Sequence, residues 1–308
     1  MRNKLFVSAL VCCLTCLTSC EKEEKEFQSI NLYLETPQGN MLLFKTSSNA
    51  TCDLTGFETP DSIMEDLVLP GQLWYENRLL QVNRIAPYAF SWSNKLRSIE
   101  VPDGVTAIGR EAFRGCAALE KVVLPDGVKS IGYCCFMESP KLNTINLPSS
   151  ITTIDNMAFE DCHSLQHVRF EALVDTLHWG VFQGCDSLRE ISLPESLRIV
   201  EGAAFYHSGL RELIFPEGVT TVLTDVVNQC YDLKHISFPS TVETLNLQHM
   251  TCDNLEYMDV KALTPPYLHI NFHYSFNRDM KVRVPAESLE AYQKAEVWRG
   301  LSIEALPE

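Results

Sequence analysis

Apolar and polar residues follow a pattern that returns every 22 or 23 residues over most of this chain. In the unit from Leu96 to Phe113, Ile99 and Val101 alternate with polar neighbours, as on one face of a β-strand, and Pro102 ends the run. A second, shorter apolar run and a phenylalanine complete the unit. Phenylalanines recur at this last position in steps of 23 residues: Phe90, Phe113, Phe136, Phe159, Phe182 and Phe205.

Leucine and proline columns keep the same period, with Glu171 as the one exception in the proline column. A repeat of 20–29 residues built on leucine, isoleucine and valine is typical of a leucine-rich solenoid. Each unit has too few apolar residues to form its own core, so the units must bury their columns by stacking. We therefore predict an α+β repeat solenoid of short stacked strands with 3₁₀ or helical corners.

Both ends of the array depart from the period. Alternating runs on either side of Pro37–Asn40 predict a hairpin, and Glu76–Asn77 predict the turn of a second hairpin inserted into the first repeat. After Pro265, the apolar spacing in Ser288–Val297 predicts a helix. Such segments are expected to cap the open apolar ends of a solenoid. We assign an N-terminal hairpin cap to 27–62, the solenoid to 63–263 and a C-terminal helical cap to 264–308.

The first 19 residues have the composition of a targeting segment. Arg2 and Lys4 precede an apolar run, Leu5–Leu17, which is too short to span a bilayer. The run ends in Leu-Thr-Ser-Cys, which resembles the lipobox of bacterial lipoproteins. This resemblance implies cleavage before Cys20 and lipidation of its thiol. A plain signal peptide and a membrane anchor are the alternatives.

Residues 20–26 form an acidic tether, because charged residues follow one another directly after the cysteine. The tether resembles the acidic stretch that marks Bacteroidetes lipoproteins for export to the outer face of the outer membrane, although an ordinary linker has the same composition. Together the leader and the tether predict a cell-envelope, outer-membrane lipoprotein, exposed at the surface or facing the periplasm.

Charge and cysteine content narrow the class of protein further. The net charge of −15 opposes binding to phosphate backbones, so we expect no nucleic-acid partner. Of the twelve cysteines, Cys116, Cys162, Cys185 and Cys230 share one position, three residues after the phenylalanine column. A position that recurs in every unit favours buried thiols that pack as small apolar groups. A disulfide between Cys162 and Cys185, which lie on adjacent units, is the alternative for this pair.

The repeated motif LxxIxLPxxVxxIGxxAFxxC resembles the BspA-like leucine-rich repeats of gut and oral Bacteroidetes. It covers about Leu67 to Val284, and the ending VRVPAESLEAYQKAEVW also resembles that of these proteins. The resemblance implies a surface lipoprotein that attaches to host extracellular-matrix proteins or to other cells. It transfers no binding residues, since the shared positions are the buried scaffold.

We find no motif for hydrolysis, phosphate binding or dinucleotide binding, and we predict a non-enzymatic protein without cofactor or metal. His269 and His273 lie close in sequence, but no carboxylate accompanies them. The outward positions of the first strand of each unit are free to vary and form a comparatively basic face. The candidate partner-binding residues on this face are Arg97, Lys121, His167, Arg169, Arg189, Glu190, Arg211, Glu212, Lys234, His235 and Tyr257.

Trp74 and Tyr75 in the inserted hairpin are a second candidate contact. Asp61-Ser62-Ile63, Asp175-Thr176-Leu177 and Asp186-Ser187-Leu188 resemble a short Bacteroidetes O-glycosylation motif. The motif in the cap, Asp61-Ser62-Ile63, is the best candidate, because Leu177 and Leu188 are expected to be buried. The sequence supports two functions. In the first, the solenoid binds an unidentified protein or glycan. In the second, it is a structural or assembly subunit of an outer-membrane complex without its own ligand, and its outer strand face serves only to keep it soluble.

Overall fold

The computed structural model is a stack of repeat units with two sheet faces joined by a corner. It describes residues 5–6, 29–36, 41–57, 66–270, 277 and 279–307. The predicted leader, the tether, the Pro37–Asn40 turn and Ser62 lie outside these residues, apart from a two-residue strand, β1 (Leu5–Phe6). The repeat solenoid predicted from the sequence is confirmed, with very little helix.

The first sheet face consists of two parallel five-stranded sheets, each containing the first strand of successive units. Leu67, Ile99 and Val122 point inward from its strands and are buried, as the two-residue alternation predicts. One sheet contains β5 (Asp66–Val68), β8 (Ser98–Glu100), β10 (Lys121–Val123), β12 (Thr144–Leu147) and β14 (His167–Phe170). The other contains β17 (Glu212–Ile214), β19 (His235–Phe238), β21 (Tyr257–Val260), β23 (Lys281–Val284) and β24 (Ile303–Ala305).

The second sheet face carries the shorter apolar run of each unit, and here too the inward residues, such as Ile108 and Ile131, are buried. Its strands also pair in parallel from unit to unit. They are β9 (Ala107–Ile108), β11 (Ser130–Ile131), β13 (Thr153–Ile154), β15 (Thr176–Leu177), β16 (Ile199–Val200), β18 (Thr221–Val222), β20 (Thr244–Leu247) and β22 (Tyr267–Ile270).

An N-terminal β-sheet covers the first unit. Strands β2 (Asn31–Glu35) and β3 (Met41–Thr46) form the predicted antiparallel hairpin, and β4 (Thr51–Phe57) continues it. Strand β6 (Gln72–Tyr75) and β7 (Arg78–Ile85) form the inserted hairpin, with Glu76 and Asn77 both at positive φ as its turn. Since β7 pairs with both β4 and β9, the cap and the first three strands of the second sheet face, β9, β11 and β13, form one continuous sheet.

The corner of each unit is a hydrogen-bonded turn rather than a helix. Three backbone N–H groups, two residues apart, donate to carbonyls of the next unit: Glu111 to Tyr133 (2.8 Å), Phe113 to Cys135 (2.8 Å) and Gly115 to Met137 (2.8 Å). The same three bonds recur at every unit from Phe90 to Phe205. The corner is therefore a third ladder of the solenoid, and we name it the corner ladder.

The corner ladder requires left-handed backbone two residues before and two residues after each phenylalanine. The residues with positive φ are Tyr88, Trp92, Glu111, Gly115, Cys134, Glu138, Met157, Asp161, Gly180, Gly184, Ala203 and His207. Non-glycine residues adopt this conformation at a cost of about 1 kcal/mol or more each. Hydrogen bonds between units offset that cost only when the units are stacked, which links the local backbone conformation to the assembled array.

Stacked aromatic rings fill the core beneath the corner ladder. The rings of Phe90, Phe113, Phe136 and Phe159 lie nearly parallel, with 5.2 Å between successive centroids, and all are buried. The spacing widens to 5.4 Å between Phe159 and Phe182 and to 5.8 Å between Phe182 and Phe205. The distance between successive rings thus follows the spacing of the units, and it increases after Phe159.

The recurring cysteine position is a hydrogen-bonding site as well as a packing site. The thiol of Cys116 donates to the carbonyl of Phe90 (3.1 Å), and that of Cys162 to Phe136 (3.3 Å). Ser139 occupies the same position and donates to the carbonyl of Phe113 (2.9 Å). This position therefore requires a small side chain that can donate a hydrogen bond, cysteine or serine. Cys162 and Cys185 are both buried free thiols and form no disulfide with each other.

A C-terminal cap covers the last units. Two 3₁₀ turns, Ala286–Ser288 and Trp298–Gly300, flank the short helix α1 (Leu289–Lys294). Buried Tyr292 donates its hydroxyl to the Ala262 carbonyl (2.8 Å), and Trp298 donates its indole N–H to the Pro266 carbonyl (3.0 Å). The predicted helical cap is confirmed, but it amounts to fewer than two turns of α-helix.

Both sheet faces are interrupted in the middle of the solenoid. Among the described residues, β14 pairs only with β12 and β17 only with β19, and the segment Glu190–Leu193 between them has no backbone hydrogen bond. On the second sheet face, β13 and β15 belong to different sheets. The corner ladder continues across the same units, with the N–H of Phe159 bonded to Val181 and that of Phe182 bonded to Ala204.

A missing column proline precedes this interruption, whereas Lys261 takes the same position without an interruption, since β21 pairs with both β19 and β23. In the units that carry a column proline between Pro102 and Pro239, a buried residue donates its N–H to the proline carbonyl, as Val128 does to Pro125 (3.3 Å), and this bond turns the chain off the first sheet face. Glu171 stands at that position after β14, and its own N–H and that of Leu173 donate to the preceding unit instead. The chain stays extended there, and the next unit does not follow in register.

Candidate partner-binding surface

The outward residues predicted for partner binding lie on the first sheet face. All are exposed except His235, which is half-buried. The parallel register places His167 beside Thr144, and it places Glu212, His235 and Tyr257 beside one another on three successive strands. The structure thus gathers the predicted residues onto one surface but divides them at the interruption between β14 and β17.

Ion pairs neutralise most of the cations on this face. Arg97 pairs with Asp66 (2.8 Å), Arg169 with Glu171 (2.6 Å) and Lys234 with Glu256 (3.5 Å). Arg189 likewise pairs with Asp232 two units further on. Among the described residues, only Lys121 and Arg211 of the six predicted cations have no ion pair. The face is therefore less basic than its sequence suggests.

A buried carboxylate organises the C-terminal end of the face. Asp259 accepts two hydrogen bonds from the Arg283 guanidinium, Nε to Oδ1 (2.6 Å) and Nη2 to Oδ2 (2.9 Å), and a contact of 2.9 Å joins its Oδ2 to Nε2 of His235. The Nδ1 of His235 lies 2.7 Å from Oε1 of Glu212. The guanidinium also lies 4.3 Å from the centroid of the Tyr257 ring. We call these five residues the Asp259 cluster.

Burial and hydrogen bonding have opposite effects on the pKa of Asp259. Burial raises the pKa of Asp259, but hydrogen bonds from His235 and Arg283 outweigh it and hold this pKa below its usual range. The hydrogen bond to Asp259 raises the pKa of His235 above its usual value. At neutral pH the cluster is therefore a fixed arrangement of charges in which a cation stacks on an aromatic ring.

Sequence reasoning missed Arg283, which contributes most of the bonds to Asp259. Its strand, β23, follows Pro265–Pro266, where the period is lost, and only the short run before Pro285 links it to the array. Asp259 occupies an outward strand position, like Glu100 in its own unit, but it is buried because Arg283 and His235 cover it from the neighbouring strands. The sequence signal was present as the Val-Arg-Val-Pro match to a repeat strand.

The inserted hairpin offers one of its two predicted contacts. Trp74 is two-thirds exposed, whereas Tyr75 is buried and donates its hydroxyl to Glu76 (2.8 Å). Neighbouring residues on a strand point to opposite sides, so only one of the pair can face solvent. Tyr75 belongs to the core of the first unit, and Trp74 remains as the candidate contact.

A set of exposed aromatic residues along the corner was not predicted. Tyr88 and Trp92 hold the left-handed positions of the first corner and are more than half exposed. The Arg110 guanidinium lies 5.6 Å from the Tyr88 ring centroid and 5.3 Å from that of Tyr133, and Arg114 lies over Trp92. Tryptophan, tyrosine and arginine are the residues enriched at binding hot spots. The left-handed backbone that turns them outward gives no signal in a single sequence.

Other candidate chemistry is limited. Among the described residues, no group of three or more histidine, cysteine, aspartate or glutamate side chains has the geometry to hold a metal ion. Burial raises the pKa of the Cys116 thiol to about 12, which keeps it protonated and unreactive. Leu177 and Leu188 of the two repeat-borne glycosylation motifs are buried. His273 and Cys20 lie outside the described residues, as does the Asp61-Ser62-Ile63 motif.

We predict that the Asp259 cluster gives the protein a pH-dependent stability. His235 has a raised pKa in the folded chain, so its contribution is fully present below about pH 6.5, the unfolded value, and is lost as pH rises through the folded pKa. Replacing His235→Gln should therefore lower the free energy of unfolding by about 1 kcal/mol at pH 6. The loss should be smaller at pH 9.

Urea denaturation of the wild type and of the variant at both pH values measures this difference. His167→Gln is the matched control, because His167 lies in the same column without a carboxylate partner among the described residues. A loss that is equal at pH 6 and pH 9 would show that the charge of His235 does not stabilise the fold.

Comparison with known proteins agrees with this architecture. No helix within the described residues is long and apolar enough to cross a membrane. No curated protein matches the chain significantly. A leucine-rich cell surface protein from Faecalibacterium prausnitzii A2-165 has a similar structure, with 20% sequence identity, a TM-score of 0.58, and coverage of 87% of this chain and 93% of its own.

A leucine-rich repeat protein from Bacteroides ovatus ATCC 8483 has a lower TM-score, 0.44, with 22% identity and coverage of 81% of this chain and 78% of its own. The model of the BspA-type leucine-rich repeat region matches residues 83–189 and 176–265, in six copies and over more than half of the chain. The chain therefore belongs to the BspA-type leucine-rich repeat family.

Proposed function

We propose that this protein is a non-enzymatic cell-envelope lipoprotein whose first sheet face binds a protein or glycan partner. Leucine-rich repeat solenoids are generally binding scaffolds. The main support is the separation of roles within each strand: inward side chains are buried in the core, and outward ones form one exposed surface along two sheets. Lys121 and Arg211 on that surface have no ion pair among the described residues and are available to a partner's carboxylates.

The Asp259 cluster supports the same proposal. A stacked arginine and tyrosine, fixed by a buried carboxylate, present a rigid surface that loses little conformational entropy on binding. Arginine and tyrosine are also common hot-spot residues at protein interfaces. Adhesion to host extracellular-matrix proteins or to other cells is the biological role that the family resemblance and this surface favour together.

The cell surface is the proposed location. The similar protein from Faecalibacterium prausnitzii is described as a cell surface protein. Residues 1–19 are proposed as a lipoprotein leader, Cys20 as the lipidated residue and 20–26 as the tether to the cap and solenoid. The lipid anchor is proposed to lie in the outer membrane with the solenoid outside the cell, and a periplasmic orientation is the alternative.

We predict that binding to an immobilised extracellular-matrix preparation depends on the unpaired cations. The double substitution Lys121→Glu with Arg211→Glu should weaken binding about tenfold, because it places like charges against an acidic partner surface. Lys129→Glu with Lys141→Glu is the matched control, since these exposed lysines lie outside the first sheet face. Surface plasmon resonance measures both.

Equal binding by the two double variants would contradict a role for Lys121 and Arg211 in binding. If the chain instead cross-links to the same envelope proteins with or without the substitutions, it acts as an assembly subunit of an outer-membrane complex.

We predict that Cys20→Ala releases the protein from the membrane fraction, since a leader without the lipidated thiol leaves no acyl chains to hold the chain in the bilayer. Fractionation and immunoblotting of cells expressing the wild type and the variant measure this. Cys52→Ala, which changes a buried thiol, is the control for general effects of cysteine loss. Membrane retention of the Cys20 variant would contradict lipid anchoring.

A further inference from the structure

A cleft opens on the first sheet face where its two sheets separate. Its volume is about 630 Å³, and residues of three successive units line it. Strand β14 forms one wall, β17 forms the other, and Glu190–Leu193 lies between them. Four of the predicted partner-binding residues, His167, Arg169, Glu190 and Glu212, lie on its walls.

Backbone groups that would normally pair in a sheet are unpaired in this cleft. Hydrogen bonds of a parallel strand point alternately to its two neighbours. On β14, the backbone groups of His167, Arg169 and Glu171 face β12. The backbone N–H and C=O groups of Val168 and Phe170 therefore face the cleft. On β17, those of Glu212 and Ile214 face it in the same way. The segment Glu190–Leu193 contributes a further unpaired stretch.

Apolar side chains alternate along the same walls. Val168, Phe170, Ile191 and Leu193 point towards the core but are only half-buried, whereas their equivalents in other units are buried. Ile214 is about half exposed at the far wall. An extended segment that adds its backbone to these edges would also cover this apolar surface with every second side chain.

The charge of the cleft favours a basic segment. The carboxylates of Glu190 and Glu195 have no ion pair within the described part of the chain. The arginine that lines the cleft, Arg169, is already paired with Glu171 (2.6 Å). A positively charged side chain entering the cleft would therefore meet unpaired carboxylates and little opposing charge.

We propose, on the basis of the partner-binding function above, that the cleft receives an extended segment of a partner protein in which aliphatic and basic residues alternate. The segment pairs its backbone with β14 and Glu190–Leu193, places its aliphatic side chains over Val168 and Leu193, and places its basic side chains beside Glu190 and Glu195. It completes the first sheet face at the point where the solenoid itself leaves it unpaired.

A labelled heptapeptide of alternating valine and lysine, titrated into the purified full chain, tests this proposal by fluorescence anisotropy. The proposal predicts saturable binding that weakens about tenfold or more when the valine nitrogens are methylated, because methylation removes the backbone donors. It also predicts a loss of about tenfold or more when lysine is replaced by aspartate.

Variants of the protein provide the matched test. Glu190→Lys with Glu195→Lys should weaken binding of the lysine peptide about tenfold, and Glu100→Lys with Glu243→Lys should not, since both control residues are exposed carboxylates outside the cleft. Circular dichroism confirms that each variant is folded. Equal binding of the methylated peptide, equal loss in the two double variants, or no binding of any peptide would overturn the proposal.

One further measurement, and the combination of the peptide and matrix results, distinguish the alternatives. Analytical ultracentrifugation showing dimers that disappear with Glu190→Lys and Glu195→Lys would assign the cleft to a second copy of the chain and overturn the proposal. If the peptides fail to bind while matrix binding still depends on Lys121 and Arg211, the cleft proposal fails and the partner-binding function stands. If the peptides bind and matrix binding does not depend on those cations, the cleft alone is the binding site.

Discussion

The corner ladder is the interaction on which the rest of the solenoid depends. It is the one set of hydrogen bonds between units that runs unbroken from Phe90 to Phe205, while both sheet faces are interrupted. It also holds pairs of non-glycine residues in left-handed conformations that only stacked units can stabilise. Beneath it, the phenylalanine rings and the cysteine or serine donors repeat in register. Nearest-neighbour bonds of this kind make the stability a property of the stack rather than of any unit.

A continuous corner allows the sheet faces to differ locally without unfolding the array. Near Glu171, where the column proline is missing, the chain stays extended, and Glu190–Leu193 in the next unit has no backbone partner among the described residues. The wider spacing of the rings of Phe182 and Phe205 accompanies this change. The scaffold is therefore specified by buried columns, whereas the outward residues and the one break in the register differ from unit to unit.

The periodic sequence predicted the stacked strands, both hairpins and the terminal helix, because inward positions must be apolar in every unit. It did not predict the corner ladder, since residues as different as Trp92 and Glu138 share its left-handed positions. It placed the outward residues on one face but could not show which charges pair across units, as Arg189 and Asp232 do. Glu171 marks the unit before the break, but Lys261 takes the same position in an unbroken sheet, so the loss of pairing depends on contacts between units.

Amide hydrogen exchange of the purified chain tests the central claim most directly, because exchange reports the opening of individual backbone hydrogen bonds. A continuous corner with an interrupted first sheet face predicts slow exchange at Phe159, Phe182 and Phe205. It predicts fast exchange across Glu190–Leu193, and slow exchange at Ile236 on the intact strand β19. Slow exchange throughout Glu190–Leu193, or fast exchange at the three phenylalanines, would contradict the account.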